Sequence, residues 1–348
     1  MVIKPDQDKR IPSLDGLRAI SISLVLIGHA ADTKYAYNSS VFRYTGEVAN
    51  LGVRIFFAIS GFLITSLLLK EKSRIGTVSL KDFYVRRVLR IFPAFYFFLA
   101  VAAILAWFKI LSIPRDDFLS AATFTANLRV LDWNLGHFWS LSVEEQFYLV
   151  WPTTFALCGS KRSLKVALAM LTLWPLLRGI LALKHIPIPG PSISADAVMA
   201  GCLLALLRPR LHENGHYMRF LESLWFWAIP VAMMLLNAAH AHARGLLYHL
   251  FGYLVTIAIV IVIDCCITVQ NKLSICLNWK PIAFLGTLSY SIYLWQQLFL
   301  NRKGAYAVNT FPLSIILSLS CGCISYFFIE RPFLKLKERM QTGQVPQL

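Results

Sequence analysis

Apolar residues in this 348-residue chain gather into blocks long enough to cross a bilayer, and no other feature limits its fold so strongly. About 20 apolar residues in a helix span a hydrocarbon layer of ~30 Å, with every backbone amide satisfied inside the segment. Such blocks fall near 14–31, 50–69, 91–108, 137–157, 163–183, 192–207, 223–239, 246–268, 281–300 and 311–329. The expected fold class is all-α: a polytopic membrane protein with about ten transmembrane helices. The sixth block is short and follows a proline-rich run at 187–191, where a helix is tilted or broken.

Charge supports the same reading. Only 15% of residues are charged and 57% are hydrophobic, against roughly 25% charged in a soluble domain. The net charge of +16 does not mark a nucleic-acid binder, because basic residues collect in the cytoplasmic loops of membrane proteins. With the N-terminus inside, 23 of the 34 Lys and Arg fall on the inner side and 11 in spans or outer loops. Both termini are therefore expected in the cytoplasm of a multi-pass protein of the cell membrane, with lipids as its surroundings. Residues 1–13 are polar and no small-residue cleavage site follows the first block, so that block reads as a retained span. A short basic tail at 331–348 follows the last block, and 1–348 reads as a single membrane domain. The largest inner loop is expected at 70–90 and the largest outer one at 109–136, the latter with room for an interfacial helix.

Several patterns carry little. The seven cysteines form no C-x-x-C pair and read as packing residues. Asn38-Ser39-Ser40 fits the glycosylation pattern, which is short and nonspecific. His240, His242 and His249 flank an outer loop without nearby acids or cysteines, so no metal is expected.

Ionisable residues at membrane depth carry more, since each is costly to bury. His29 ends the first apolar block, and Arg18 precedes it with ten residues between. A helix separates the two by ~16 Å along its axis. Arg86, Arg87 and Arg90 sit where an inner loop enters the third block, and Arg87 and Arg90 share a helix face. Guanidinium pairs suit phosphate, though a basic cluster that only sets topology looks the same in sequence. Glu144 and Glu145 lie about two turns into the fourth block. Adjacent helical residues diverge by ~100°, so one can serve a substrate or proton relay while the other neutralises an arginine. Asp196 lies among small residues that permit close helix approach, Asp264 near the end of the eighth block, and Glu330 beside Arg331, a local charge partner.

In order and spacing, several segments resemble the acyltransferase-3 family of integral membrane O-acyltransferases. They are Leu14-Asp15-Gly16-Leu17-Arg18 through to His29, Gly52-Val53-Arg54-Ile55-Phe56-Phe57-Ala58-Ile59-Ser60-Gly61-Phe62, Phe83-Tyr84-Val85-Arg86-Arg87 through Arg90 to Pro93, Trp139-Ser140-Leu141-Ser142-Val143-Glu144-Glu145-Gln146-Phe147-Tyr148, Leu288-Ser289-Tyr290-Ser291-Ile292-Tyr293-Leu294-Trp295 and Ile329-Glu330-Arg331-Pro332. The resemblance implies ten core helices and transfer of an acyl group, commonly acetyl from acetyl-CoA, to a carbohydrate or other small hydroxyl acceptor. It makes Arg18 and His29 the essential R-x10-H pair, and Arg87 with Arg90 the pair implicated with the donor. Many members place a histidine directly after Tyr-Leu-Trp. This chain has Gln296 there, so no catalytic role is expected at that position. The esterase-like domain fused to some relatives is not seen in this sequence, so a handover to a second active site would need another protein.

The expected mechanism follows. Acyl-CoA docks its phosphates on Arg87 and Arg90, with Arg86 beside them, and His29 acts as general base on the acceptor hydroxyl. Glu144 orients the ring, and Arg18 offsets donor charge. No G-x-S-x-G elbow or Cys–His pair suggests a covalent acyl-Ser or acyl-Cys enzyme, while an acyl-histidine intermediate stays open. A proton-coupled secondary transporter would use the same Arg, His and Glu, and a non-enzymatic sensor is a third class. Donor chain length, acceptor and oligomeric state are not read from the sequence.

Overall fold

The computed structural model describes residues 11–31, 33, 46–184, 195–301, 304 and 306–341. The glycosylation pattern at 38–40, the proline-rich run at 187–191 and both termini lie outside them. Among the described residues the fold is helical without strands: α1 (Pro12–Ala31), α2 (Gly46–Ile75), α3 (Leu80–Trp107), α4 (Arg115–Ala122), α5 (Trp133–Gly136), α6 (Phe138–Leu183), α7 (Ala195–Glu213), α8 (Gly215–Glu222), α9 (Ala228–His242), α10 (Gly245–Thr268), α11 (Lys272–Leu277), α12 (Lys280–Phe299), α13 (Leu313–Ser325) and α14 (Arg331–Gln341).

Seven helical segments among the described residues are long and apolar enough to cross a membrane: Pro12–Ala31, Val48–Ile75, Leu80–Trp107, Trp133–Leu181, Leu224–His242, Gly245–Thr268 and Leu313–Met340. Seven is fewer than the blocks counted in sequence, for two reasons. The segment through α6 holds two blocks, joined at Gly159 with φ 71° and ψ 173°, a conformation that a side chain disfavours. The sixth and ninth blocks coincide with α7 and α12, whose polar residues lower their hydropathy. Gln296 and Gln297 are among those of α12.

The expected inner loop at 70–90 is not a loop. α2 runs to Ile75 and α3 starts at Leu80. Gly76 turns the chain at φ 78°, and the Ser79 side chain caps α3 by accepting from Asp82 N–H at 3.3 Å. Hydropathy reports where a helix leaves the apolar layer, not where it ends. The segment 109–136, expected as an outer loop, carries the short helices α4 and α5.

Two compact units divide the chain. The first holds residues up to Gly28, Tyr44–Val78 and Phe147–Thr287. Its core joins Leu51, Ile55, Ile59 and Phe62 of α2 to Val255, Ile259 and Ile263 of α10. α2 and α7 pack backbone to backbone, because a methyl at Gly61 would fall on the Val198 carbonyl and one at Gly201 on the Ala58 carbonyl. Asp264, fully buried, is the polar anchor of this unit. It accepts from Arg208 Nε at 2.9 Å, Tyr217 OH at 2.9 Å and Thr268 Oγ1 at 3.2 Å, and His212 Nε2 lies 3.0 Å away. Burial, with Asp264 beside it, pushes the Tyr217 hydroxyl well above the usual range, which keeps it a donor. Asp264 thus serves a structural ion pair between α7 and α10.

The second unit holds His29–Arg43, Ser79–Gln146 and Leu288–Leu348. Aromatic contacts fill it. Phe95 meets Phe124 and Phe138 at centroid distances of 4.5 and 4.8 Å, and Phe98 meets Trp295 at 5.4 Å. Between α13 and α14 the residues Tyr326–Glu330 form a π-helical turn, the kind of irregularity often found at functional sites. That turn points Glu330 inward, where it accepts from Ser291 Oγ at 2.7 Å, while Arg331 lies over the Phe327 ring. One partner of Glu330 is thus a serine of α12.

Candidate active site

His29 lies in the last turn of α1, half-buried, inside the second unit. Its Nδ1 is 2.8 Å from Gln296 Oε1, and its ring meets Trp133 edge-on at 5.4 Å. An amide oxygen only accepts, so with Gln296 Oε1 as partner the proton sits on Nδ1 and the lone pair on Nε2. Gln296 is fully buried on α12, so its amide is desolvated and bonds strongly to the ring. The position where no catalytic role is expected thus lies directly against the His29 ring. A glutamine does not exchange protons at neutral pH, yet it fixes the tautomer and orientation of the histidine.

The next residue repeats the device. Gln297 Oε1 accepts from the His137 backbone N–H and meets His137 Nδ1, both at 2.7 Å. The backbone donor leaves no choice about which end of the amide faces the ring, so His137 also carries its proton on Nδ1. His137 is 1% exposed, lies within electrostatic range of His29, and is walled by Phe138, Tyr293 and Phe98 at 4.7, 5.5 and 5.6 Å. Consecutive glutamines on one helix therefore hold two imidazoles, one from α1 and one at the entry of α6.

Three buried polar atoms here find no hydrogen-bond partner among the described residues: His137 Nε2, Gln296 Nε2 and Trp295 Nε1. Such atoms are rare in native interiors and mark places that water or a ligand fills. Nearby, Ser140 Oγ and Tyr293 OH are 2.5 Å apart, and Tyr290 OH donates to the Ile91 carbonyl at 2.9 Å.

The charged candidates fall into two groups within this unit. Glu144 lies within electrostatic range of Tyr290 and Tyr293. Glu145 lies within range of Arg87, whose guanidinium also rests over the Phe83 ring at 5.6 Å. Arg86, Arg87 and Arg90 lie in the first turns of α3, all partly buried. α14 packs against α3 and brings Lys337 within electrostatic range of all three arginines. Four cations thus meet where sequence showed three. Arg18 lies on α1 with His29 and is 3.4 Å from Asp15 Oδ1. Among the described residues no group of three or more His, Cys, Asp or Glu could hold a metal.

Sequence reasoning missed His137, Gln296, Gln297 and Lys337. One signal was present: two adjacent amides inside an apolar block are as conspicuous as the paired glutamates.

An apolar helical chain whose interior carries two tautomer-fixed imidazoles and a clustered set of cations is a polytopic membrane protein with acid–base capacity. The profile of the acyltransferase-3 family, described as an acyltransferase domain, matches residues 11–330. The chain belongs to that family. It is 28% identical over 363 residues to the peptidoglycan O-acetyltransferase OatA of Listeria monocytogenes, covering 94% of this chain and 56% of that protein. It is 29% identical over 360 residues to the O-acetyltransferase OatA of Staphylococcus aureus, covering 93% and 57%. The chain spans a little over half the length of these curated relatives. No solved structure matches it.

Proposed function

We propose that this protein is a membrane O-acyltransferase that moves an acyl group, acetyl in the first instance, from cytosolic acyl-CoA to a hydroxyl of a cell-envelope glycan. The observation that carries this reading is the His29–Gln296 bond at 2.8 Å, which presents Nε2 as a base, in a chain of the acyltransferase-3 family. The glycan acceptor follows from the names of the relatives, two of which are called O-acetyltransferases and one of these a peptidoglycan O-acetyltransferase.

In this reading the ten sequence blocks are ten spans with both termini in the cytoplasm. The cations Arg86, Arg87, Arg90 and Lys337 bind the donor phosphates, a chemistry that their clustering fits. His29 Nε2 takes the proton of the acceptor hydroxyl, the oxygen attacks the thioester carbonyl, and the carbon–sulfur bond breaks. The proton returns from the imidazolium to the departing CoA sulfur. Glu144 stabilises positive charge in the site, and Arg18 offsets negative charge on the donor. A phosphopantetheine arm can bridge the ~16 Å rise between Arg18 and His29, so the donor enters from the cytoplasm and the acceptor from the outer side.

Replacing Arg87 or Arg90 with Gln is expected to raise the KM for acyl-CoA about tenfold, the scale of one charge-assisted contact, with a smaller change in kcat. Lys337→Gln should shift KM the same way. Steady-state kinetics checks this, with accessibility labelling of residues 76–79 to verify insertion. Unchanged donor affinity in correctly inserted variants would refute the phosphate site.

A further inference from the structure

We propose that Gln296 is a catalytic residue as well as a positioning one. Its Nε2 amide hydrogens bind the carbonyl oxygen of the thioester and stabilise the negative charge which that oxygen gains during transfer. The proposal rests on the acyl-transfer reading above and supplies what that reading lacks, a donor for the oxyanion.

Attack of a hydroxyl on a thioester passes through a tetrahedral centre. The new carbon–oxygen bond forms, the carbonyl electron pair moves onto oxygen, and that pair returns as the carbon–sulfur bond breaks. In a site shielded from water the charge needs a fixed hydrogen-bond donor. Several hydroxyls of this unit are already engaged. Ser140 Oγ donates to the His137 carbonyl at 3.0 Å, and Tyr290 OH to that of Ile91 at 2.9 Å. Tyr293 OH has the His137 carbonyl at 3.3 Å and Ser140 Oγ at 2.5 Å as its acceptors. A hydroxyl that gives its one hydrogen to such an acceptor has none left for a substrate.

Gln296 differs. Its Oε1 is spent on His29 Nδ1 at 2.8 Å, while its Nε2 finds no hydrogen-bond partner among the described residues. The side chain is 0% exposed, and an amide donor left unmet in an interior is costly. Because Nε2 is ~2.2 Å from Oε1 in a planar amide, this donor lies within about 7 Å of His29 Nε2. A hydroxyl bonded to the base and a carbonyl oxygen bonded to the amide fit across that gap in one tetrahedral centre. The bond from Nδ1–H also polarises the amide and makes its N–H a better donor. As His29 gains a proton, Nδ1–H pulls harder on Oε1, so the donor strengthens in step with the charge on the carbonyl oxygen.

Gln296→Glu separates the two roles, because a carboxylate still accepts from Nδ1–H but offers no N–H. The purified full-length protein in detergent is read in two ways. Isotope-edited infrared spectroscopy follows the carbonyl band of bound, carbonyl-labelled acetyl-CoA with no acceptor present. The expected result is a band at lower wavenumber than in solution, returning toward the solution value in Gln296→Glu. With cell-wall oligosaccharides as acceptor, kcat should fall about 100-fold in that variant with little change in the KM for donor. A residue that only orients His29 predicts an unshifted band in the unaltered protein and near-normal turnover in Gln296→Glu. Either result would overturn the proposal. If Gln296→Glu does not fold, Gln296→Met keeps the side-chain length and should likewise lose the shift. Retention of the shift in folded Gln296→Met would also overturn it. Failure of the transfer reading looks different: the unaltered protein would then show no His29-dependent transfer, and the proposal would fall with it.

Discussion

Replacing His29 with alanine is expected to abolish acyl transfer while leaving expression and membrane insertion close to normal. Loss of a general base costs ~10²–10⁴ in rate. The other imidazole of the site, His137, is 1% exposed, enclosed by aromatic rings and held by Gln297. The ring of His29 packs on one side against Trp133 and is only half-buried, so its truncation leaves a small defect at the end of α1. The measurement is single-turnover transfer from labelled acyl-CoA, with size-exclusion profiles of both proteins to establish equal folding. Near-native turnover by a well-folded His29→Ala protein would end the general-base mechanism.

The second large effect is expected at Gln296. Changing it to leucine removes the acceptor that holds Nδ1–H at 2.8 Å and lets the imidazole adopt the other tautomer or turn away. Loss of an orienting partner costs ~10–100-fold, and the loss should fall on kcat, since the donor phosphates are bound elsewhere. Gln296→His supplies an aromatic nitrogen lone pair in place of the amide oxygen and should retain much of the activity. A merely structural role predicts the opposite order, because leucine is the easier residue to bury in an apolar helix. Equal activity of the leucine and histidine variants would remove Gln296 from the mechanism.

Much of the helical framework is legible in the sequence. α1 and α10 follow the apolar blocks closely, because a membrane-spanning helix must be apolar along its length and this leaves a local mark. Helix ends are less legible. α7 runs on to Glu213, past the end of its block, since Asp264 of α10 neutralises Arg208 and pairs with His212. Likewise α2 and α3 extend through charged residues beyond the apolar layer and leave only a turn at 76–79.

His29, the arginine cluster and the glutamate pair are visible as ionisable residues in apolar surroundings. Their partners are not. Gln296 lies 267 positions from His29 and Gln297 lies 160 from His137, so only the packing of α12 reveals which residue each amide holds. Lys337 looks like one more charge of a basic tail until α14 folds back against α3.

The central claim is transfer of an acyl group through His29, from a donor inside to an acceptor outside. Proteoliposomes with the protein in a single orientation test it most directly. Acetyl-labelled acetyl-CoA is sealed on the cytoplasmic side and cell-wall oligosaccharides are supplied on the outer side. The expected result is ester-linked label on the external oligosaccharides, matched by release of free CoA inside and absent with His29→Ala. Movement of solute across the membrane with no consumption of acetyl-CoA would contradict the account and favour a transporter.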